Sequence, residues 1–143
     1  MPKNSKNIGF YKDLVFMVLF VLLFVLTSSY KLDFLIWLVN VPLLLLVYKK
    51  PLKRAALLAL PPSILAVTIS IIWVIEYSWS AYIASTILFS SFLFLFAIIF
   101  NIFTKKIKGY LQIFIAPVIY SILMIVYSFS IINSYWADWA MFQ

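Results

Sequence analysis

The stretch that decides the fold is IAPVIYSILMIVYSFS at residues 115–130, followed by IINSYWADWAMFQ at residues 131–143. The first part is uncharged and belongs to an apolar run over 110–132, which is long enough to cross a bilayer as a helix. The second part is aromatic, with one acid. Because rings with a polar edge concentrate at the membrane–water boundary, the two parts together predict a spanning helix that delivers Tyr135, Trp136 and Trp139 to that boundary.

The composition of the whole chain indicates the same class of protein. Hydrophobic residues make up 66% of the 143 positions and charged residues only 10%, whereas soluble domains carry about 25% charged residues. Cys and His are absent, which excludes thiol nucleophiles, disulfides and the usual zinc and haem ligands. We therefore expect an all-α, polytopic transmembrane helical bundle with no cofactor and no metal site.

Short charged loops separate the apolar runs. They predict a cytoplasmic tail over 1–13 and a single transmembrane domain over 14–143. The predicted spans are about 14–30, 34–48, 55–75, 81–103 and 110–132. The second run would make roughly 22 Å of helix against a hydrocarbon core near 30 Å. It either crosses where the bilayer thins or forms a re-entrant hairpin.

The third predicted span carries two local signals. Pro61 and Pro62 each lack the backbone donor that a helix needs, which predicts a local break. Small residues recur every three or four positions along the same segment, and such a stripe is typical of a helix-packing face. The stripe consists of Ala59, Ser63, Ala66 and Ser70.

The basic residues predict the orientation. Three lie in the tail, four at 49–54 and three at 105–108, against one at Lys31, so ten of the eleven fall in alternate loops on one side. The positive-inside rule then places the amino terminus in the cytoplasm and the carboxy terminus outside, as in a multi-pass protein of the cell membrane. A net charge of +7 distributed in this way favours anionic lipid as the partner and argues against nucleic acid.

The outer ends of the third and fifth spans carry the candidate binding residues. Trp73 and Glu76 end one span, and Trp136, Trp139 and Gln143 follow the other. We expect these residues to form one rim facing a lipid or a catalytic domain. The simpler interpretation is that the rings are independent interfacial anchors and Glu76 a solvated loop carboxylate.

Several short motifs, taken in order, resemble the amino-terminal membrane region of the apolipoprotein N-acyltransferases. Ala116-Pro117 opens the last span, Trp136 lies nineteen positions after Pro117, and Gln143 lies seven after Trp136, as in that family. Ser28-Ser29-Tyr30 resembles its Ser-Pro-Tyr turn, and Trp73-Val74 resembles the end of its third helix. The chain departs from the family at Met124 and Tyr127, where the family has Glu and Arg, and it lacks the family's glycine-rich third helix.

The resemblance implies a role without chemistry of its own. The family's acyl transfer to lipoproteins is carried out by a carbon–nitrogen hydrolase domain with a Glu-Lys-Cys triad, and no position here matches that triad. By resemblance, the chain would be a non-catalytic membrane domain that presents lipid or positions such a hydrolase domain, in the same or another chain. The alternatives are a small structural or partner-binding membrane protein and a transporter-like subunit.

Overall fold

The computed structural model describes residues 4–30, 36–107 and 109–129, and within these ranges the chain is helical, without strands. The predicted all-α class is confirmed. The helices are α1 (Asn4–Tyr30), α2 (Ile36–Val39), α3 (Val41–Val47), α4 (Leu52–Ser70), α5 (Trp79–Lys106) and α6 (Gln112–Phe129), with short 3-10 helices at Ile72–Glu76 and Gly109–Leu111.

Three of the described helices are long and apolar enough to cross a membrane. They are the part of α1 from Gly9 to Ser28, all of α4 and all of α5, and α6 contains a shorter apolar stretch from Phe114 to Tyr127. Large apolar side chains also cover the outside of the bundle; Leu57 is 74% exposed and Ile87 is 66% exposed. Such a surface suits lipid rather than water. The chain is therefore a helical membrane protein, whereas the number of five spans stays a prediction.

The first helix begins earlier than the sequence predicts. α1 starts at Asn4, ten residues before the predicted first span, so the described part of the predicted tail is helical. Hydropathy marks where a helix becomes apolar, and polar residues such as Asn and Lys can continue the same helix beyond that point. The consequence is that Asp13 lies inside a helix and turns toward the bundle, where it is only 8% exposed.

The second apolar run forms two short helices instead of one. α2 and α3 are separated at Asn40, and Pro42 occupies the first turn of α3. A proline has no backbone donor, and it is tolerated in a first turn because the donors there have no partner within the helix. Leu43, Leu46 and Val47 of α3 are fully buried, so this segment belongs to the core of the bundle.

The small-residue stripe of α4 is a packing face, as predicted. Ala59, Ser63 and Ala66 are fully buried, and α4 packs against α1 and α5. Ser28 of α1 donates a hydrogen bond to the Ser70 hydroxyl at 2.8 Å. Small side chains let the helices approach closely, which is how helices associate in a bilayer where lipid tails are as apolar as leucine.

The predicted break at Pro61-Pro62 is wrong. α4 is helical without interruption from Leu52 to Ser70. The two prolines remove the donors for the carbonyls of Leu57 and Leu58, but the packing of Ala59 and Ser63 on either side holds the segment in place. The Ser63 hydroxyl also donates to the Ala59 carbonyl at 2.8 Å.

Two of the turns have clear local causes. Ser78 caps the amino terminus of α5, where its hydroxyl accepts a hydrogen bond from the Ala81 amide at 3.3 Å. At the other end of α5, Gly109 has a φ of 76°, a left-handed conformation that glycine adopts without steric cost. The chain therefore reverses direction on both sides of α5.

Candidate functional site

One end of the bundle, here called the basic end, is held together by an ion cluster. The Asp13 carboxylate accepts hydrogen bonds from Lys50 Nζ and from Arg54 Nη2, the latter at 2.9 Å. These contacts join α1 to the turn between α3 and α4 through Lys50 and to the first turn of α4 through Arg54. Further basic side chains are exposed on the surface at this end: Lys12, Lys49, Lys53, Lys105 and Lys106.

Asn101 of α5 fastens the same turn from the opposite side. Its side chain is fully buried, and its amide nitrogen donates to the carbonyls of Val47 and Lys50, the latter at 3.1 Å. Within this turn Lys49 has a φ of 54°, in the left-handed region that non-glycine residues rarely occupy. The Val47 carbonyl at the end of α3 also accepts from the Lys50 amide at 3.1 Å, so Asn101 adds a side-chain donor to a turn that the backbone already closes.

Gln112 ties the start of α6 to the end of α5. Its side-chain nitrogen donates to the carbonyl of Ile107 at 2.6 Å and to that of Thr104 at 3.4 Å. Its side-chain oxygen accepts a hydrogen bond from the Tyr48 hydroxyl at 2.9 Å. These bonds satisfy carbonyls that a helix end leaves without partners, and they connect three segments at the basic end.

Sequence reasoning missed this polar network. The charge pattern places Asp13 in the predicted tail, and hydropathy places Asn101 within an apolar run. A usable signal was present, since a polar residue inside an apolar run is expensive in lipid and therefore finds a partner within the protein. Asn101 at the basic edge of the fourth predicted span is such a residue.

The opposite end of the bundle, here called the aromatic end, carries two of the predicted site residues. Trp73 and Glu76 both lie in the 3-10 helix Ile72–Glu76 that follows α4. Trp73 is 39% exposed and makes an edge-on ring contact with Tyr77 at 5.9 Å, and Glu76 is exposed. The Tyr82 hydroxyl donates to the Thr68 carbonyl at 3.1 Å, which fixes α5 to α4 at this end. The structure thus places an indole ring and a carboxylate within one short 3-10 helix at this end.

The other three predicted rim residues, Trp136, Trp139 and Gln143, lie outside the described residues, as does Asp138. The described part of α6 runs toward the aromatic end, since Gln112 lies at the basic end and the Tyr127 hydroxyl hydrogen-bonds with the Ser91 hydroxyl of α5 at 2.8 Å. The single rim that the sequence suggested stays a prediction.

Contacts between aromatic rings pack α5 and α6 together. Phe92 contacts the rings of Tyr120 and Tyr127 edge-on at 5.4 and 5.1 Å, and Phe96 contacts Tyr120 at 5.7 Å. Tyr127, one of the positions that departs from the N-acyltransferase pattern, is therefore a packing residue between the two helices.

Toward the basic end, the same two helices enclose an open groove of about 480 Å³. Its walls are apolar throughout. One wall consists of Ile99 and Phe103 of α5 and of Ile107, which follows α5. The other wall consists of Leu111, which precedes α6, and of the α6 residues Phe114, Ile115, Val118, Ile119, Ile122 and Leu123.

Among the described residues no group of three or more acidic, His or Cys side chains could hold a metal ion. Comparisons with protein-family models, with curated proteins and with solved structures found no match. The features of the molecule that bear on function are therefore the two ends of the bundle and the groove.

Proposed function

We propose that the chain is a non-catalytic membrane domain that holds lipid at a bilayer surface and positions a carbon–nitrogen hydrolase domain, in the same or another chain, for lipoprotein acyl transfer. The main support is the position of Trp73 and Glu76, which share one short 3-10 helix after a helix long enough to span. An indole can lie against the glycerol region of a lipid while a carboxylate meets the headgroup. The motif order shared with the N-acyltransferase family supports the same role.

The dimensions of α5 support an arrangement that spans the membrane. Tyr82 at the aromatic end and Lys105 at the basic end are twenty-three positions apart in one helix, which corresponds to about 34 Å. This slightly exceeds a hydrocarbon core near 30 Å. Tyrosine and lysine are the residue types expected at the two boundaries, and the positive-inside rule favours the cytoplasm for the basic end. The aromatic end would then face the outside of the cell membrane.

The charges of the bundle fit a positioning role. Of the two acids whose side chains are described, Asp13 is bound by two cations at the basic end, so it serves the fold. Glu76 is exposed at the aromatic end, where it is accessible to a headgroup or to a partner domain. Reaction chemistry would come from the hydrolase domain, and the bundle would supply the membrane site at which lipid and enzyme meet.

The test is a rim variant examined in native membranes. Trp73→Ala combined with Glu76→Gln should insert normally and lose crosslinking to phospholipid headgroups and to a protein carrying a carbon–nitrogen hydrolase domain. Trp136→Ala tests the part of the rim outside the described residues and should do the same. The matched control is Tyr11→Ala, which removes a ring that is 65% exposed near the basic end and should leave both crosslinks unchanged.

Two results would count against a lipid-presenting role. If the rim variant inserts and retains both crosslinks, Trp73 and Glu76 do not form a binding surface. If it fails to insert, the rings are membrane anchors, and the chain is better described as a small structural membrane protein. The tightly bonded basic end is the observation that favours this second description, because it would serve a structural protein equally well.

A further inference from the structure

We propose that the groove between α5 and α6 binds one anionic phospholipid, with an acyl chain along the groove and the phosphate beside Lys106. The exposed Lys105 adds positive charge at the same end of α5. This site lies at the basic end and is separate from the rim of the proposed function. Three features support this assignment: the chemistry of the walls, the length of the groove and the charges at its mouth.

The walls select an apolar occupant. Every residue that lines the groove is Ile, Leu, Val or Phe, and a polar group placed there would lose its hydrogen bonds to water without gaining others. The volume of about 480 Å³ falls within the range of small-molecule sites. Val118 and Ile122 at the edge of the groove remain 53% and 55% exposed, so the groove is open along its side to the surrounding lipid.

The length of the groove corresponds to one leaflet. On the α6 side its lining runs from Leu111 to Leu123, twelve residue steps or about 18 Å of helix. Half of a hydrocarbon core near 30 Å is about 15 Å. Closer to the aromatic end, beyond Leu123, the rings of Phe92 and Tyr127 pack edge-on between the helices at 5.1 Å. A chain lying in the groove would therefore enter from the basic end and stop near the bilayer centre.

The charges at the mouth favour an anionic headgroup. Lys106 follows the lining residue Phe103 by three positions, which places both on one side of α5. Lys105 and Lys106 are exposed, and neither has an ion-pair partner among the described residues. Of the described acids, Asp13 is engaged by Lys50 and Arg54, and Glu76 lies at the other end. Each lysine near an anionic surface contributes about fivefold in affinity.

A second copy of the chain fits the groove less well than a lipid. Two copies inserted in the same orientation would bring their basic ends to the same depth. Lys105 and Lys106 of one copy would then face exposed lysines of the other, and like charges destabilise such a contact. A phospholipid brings the opposite charge to the same place.

Native mass spectrometry of the protein in detergent can test this assignment with phosphatidylglycerol and phosphatidylcholine of identical acyl chains. We expect one phosphatidylglycerol to bind at least tenfold more tightly than phosphatidylcholine. Lys105→Gln with Lys106→Gln should remove this preference by a similar factor, whereas the control Lys12→Gln with Lys53→Gln should retain it. Val118→Trp, which fills the groove, should weaken both lipids at least tenfold, whereas Leu57→Trp on the exposed face of α4 should weaken neither.

Four results would overturn the assignment. Equal binding of the two lipids, or a preference that the control lysine pair removes equally, would show that Lys105 and Lys106 do not define a headgroup site. Unchanged binding in Val118→Trp would place the lipid elsewhere. A dimer that Val118→Trp dissociates would show that a second copy covers the groove. Far-UV circular dichroism and elution volume establish that each variant is folded, and all the substituted side chains are exposed, so a folded protein is expected in every case.

Discussion

Replacing Asp13 by Asn tests whether the ion cluster holds the basic end together. The substitution keeps the size of the side chain and removes the charge that Lys50 and Arg54 share. Breaking a buried ion pair from one side costs about 3–5 kcal/mol, because the remaining charge is left without a partner. An exposed pair is worth about 0.2–1 kcal/mol. The cluster lies between these limits, since the side chains of Asp13 and Lys50 are 12% and 21% exposed and that of Arg54 is 57% exposed.

This difference in exposure sets the expected magnitude. We assign about 1.5 kcal/mol to the contact with Lys50 and about 0.5 kcal/mol to the contact with Arg54. Asp13→Asn should then lower the free energy of unfolding by about 2 kcal/mol, or roughly 30-fold in the equilibrium constant. The assay is titration with sodium dodecyl sulfate in mixed micelles, followed by circular dichroism. Lys53→Gln is the control, since it removes an exposed basic-end charge that forms no ion pair with a described residue.

Double-mutant cycles then separate the two contacts. The coupling energy of Asp13→Asn with Lys50→Met should exceed that with Arg54→Met by about 1 kcal/mol. Equal couplings would contradict the argument from exposure. A change in Asp13→Asn no larger than that in Lys53→Gln would refute the claim that the cluster stabilises the bundle.

Four further predictions concern other parts of the bundle. Asn101→Asp should lower the unfolding free energy more than Asn101→Leu, because it turns an acceptor toward two carbonyls; equal losses would show that the donated bonds are unimportant. Ala59→Leu should cost about 1–3 kcal/mol by overpacking a fully buried face, whereas Ala84→Leu on an exposed face should be neutral in the same titration. Single cysteines at Lys53 and Tyr77 should react with an impermeant maleimide from opposite sides of sealed cells; reaction from one side would end the proposed topology. Amides of α6 should exchange hydrogen faster than those of α4, and phosphatidylglycerol should slow α6 selectively; an equal effect on both helices would contradict a site on α6.

The sequence predicted what depends on pattern and missed what depends on tertiary pairing. An apolar content of 66% and charged loops identified a helical membrane protein, and the spacing of Ala59, Ser63 and Ala66 identified a buried face. The break at Pro61-Pro62 was wrong because intrinsic helix propensity is readily overridden by packing on both sides. The pairing of Asp13 with Lys50 joins positions thirty-seven apart, and nothing local in the chain specifies it.

The contacts that hold α6 to the bundle lie toward both ends of the helix. Among the described elements, α6 packs against α5 and against the 3-10 helix that precedes it, whereas α4 packs against both α1 and α5. The polar connections of α6 include the bonds of Gln112 at the basic end and the bond between Tyr127 and Ser91. Between these points lies the apolar groove, so the half of α6 nearer the basic end is held by fewer protein contacts than a central helix. A lipid chain in the groove would add apolar contacts there. In the sequence, α6 precedes the segment that carries Trp136 and Trp139. A lipid bound in the groove would therefore also stabilise the helix on which the proposed rim depends.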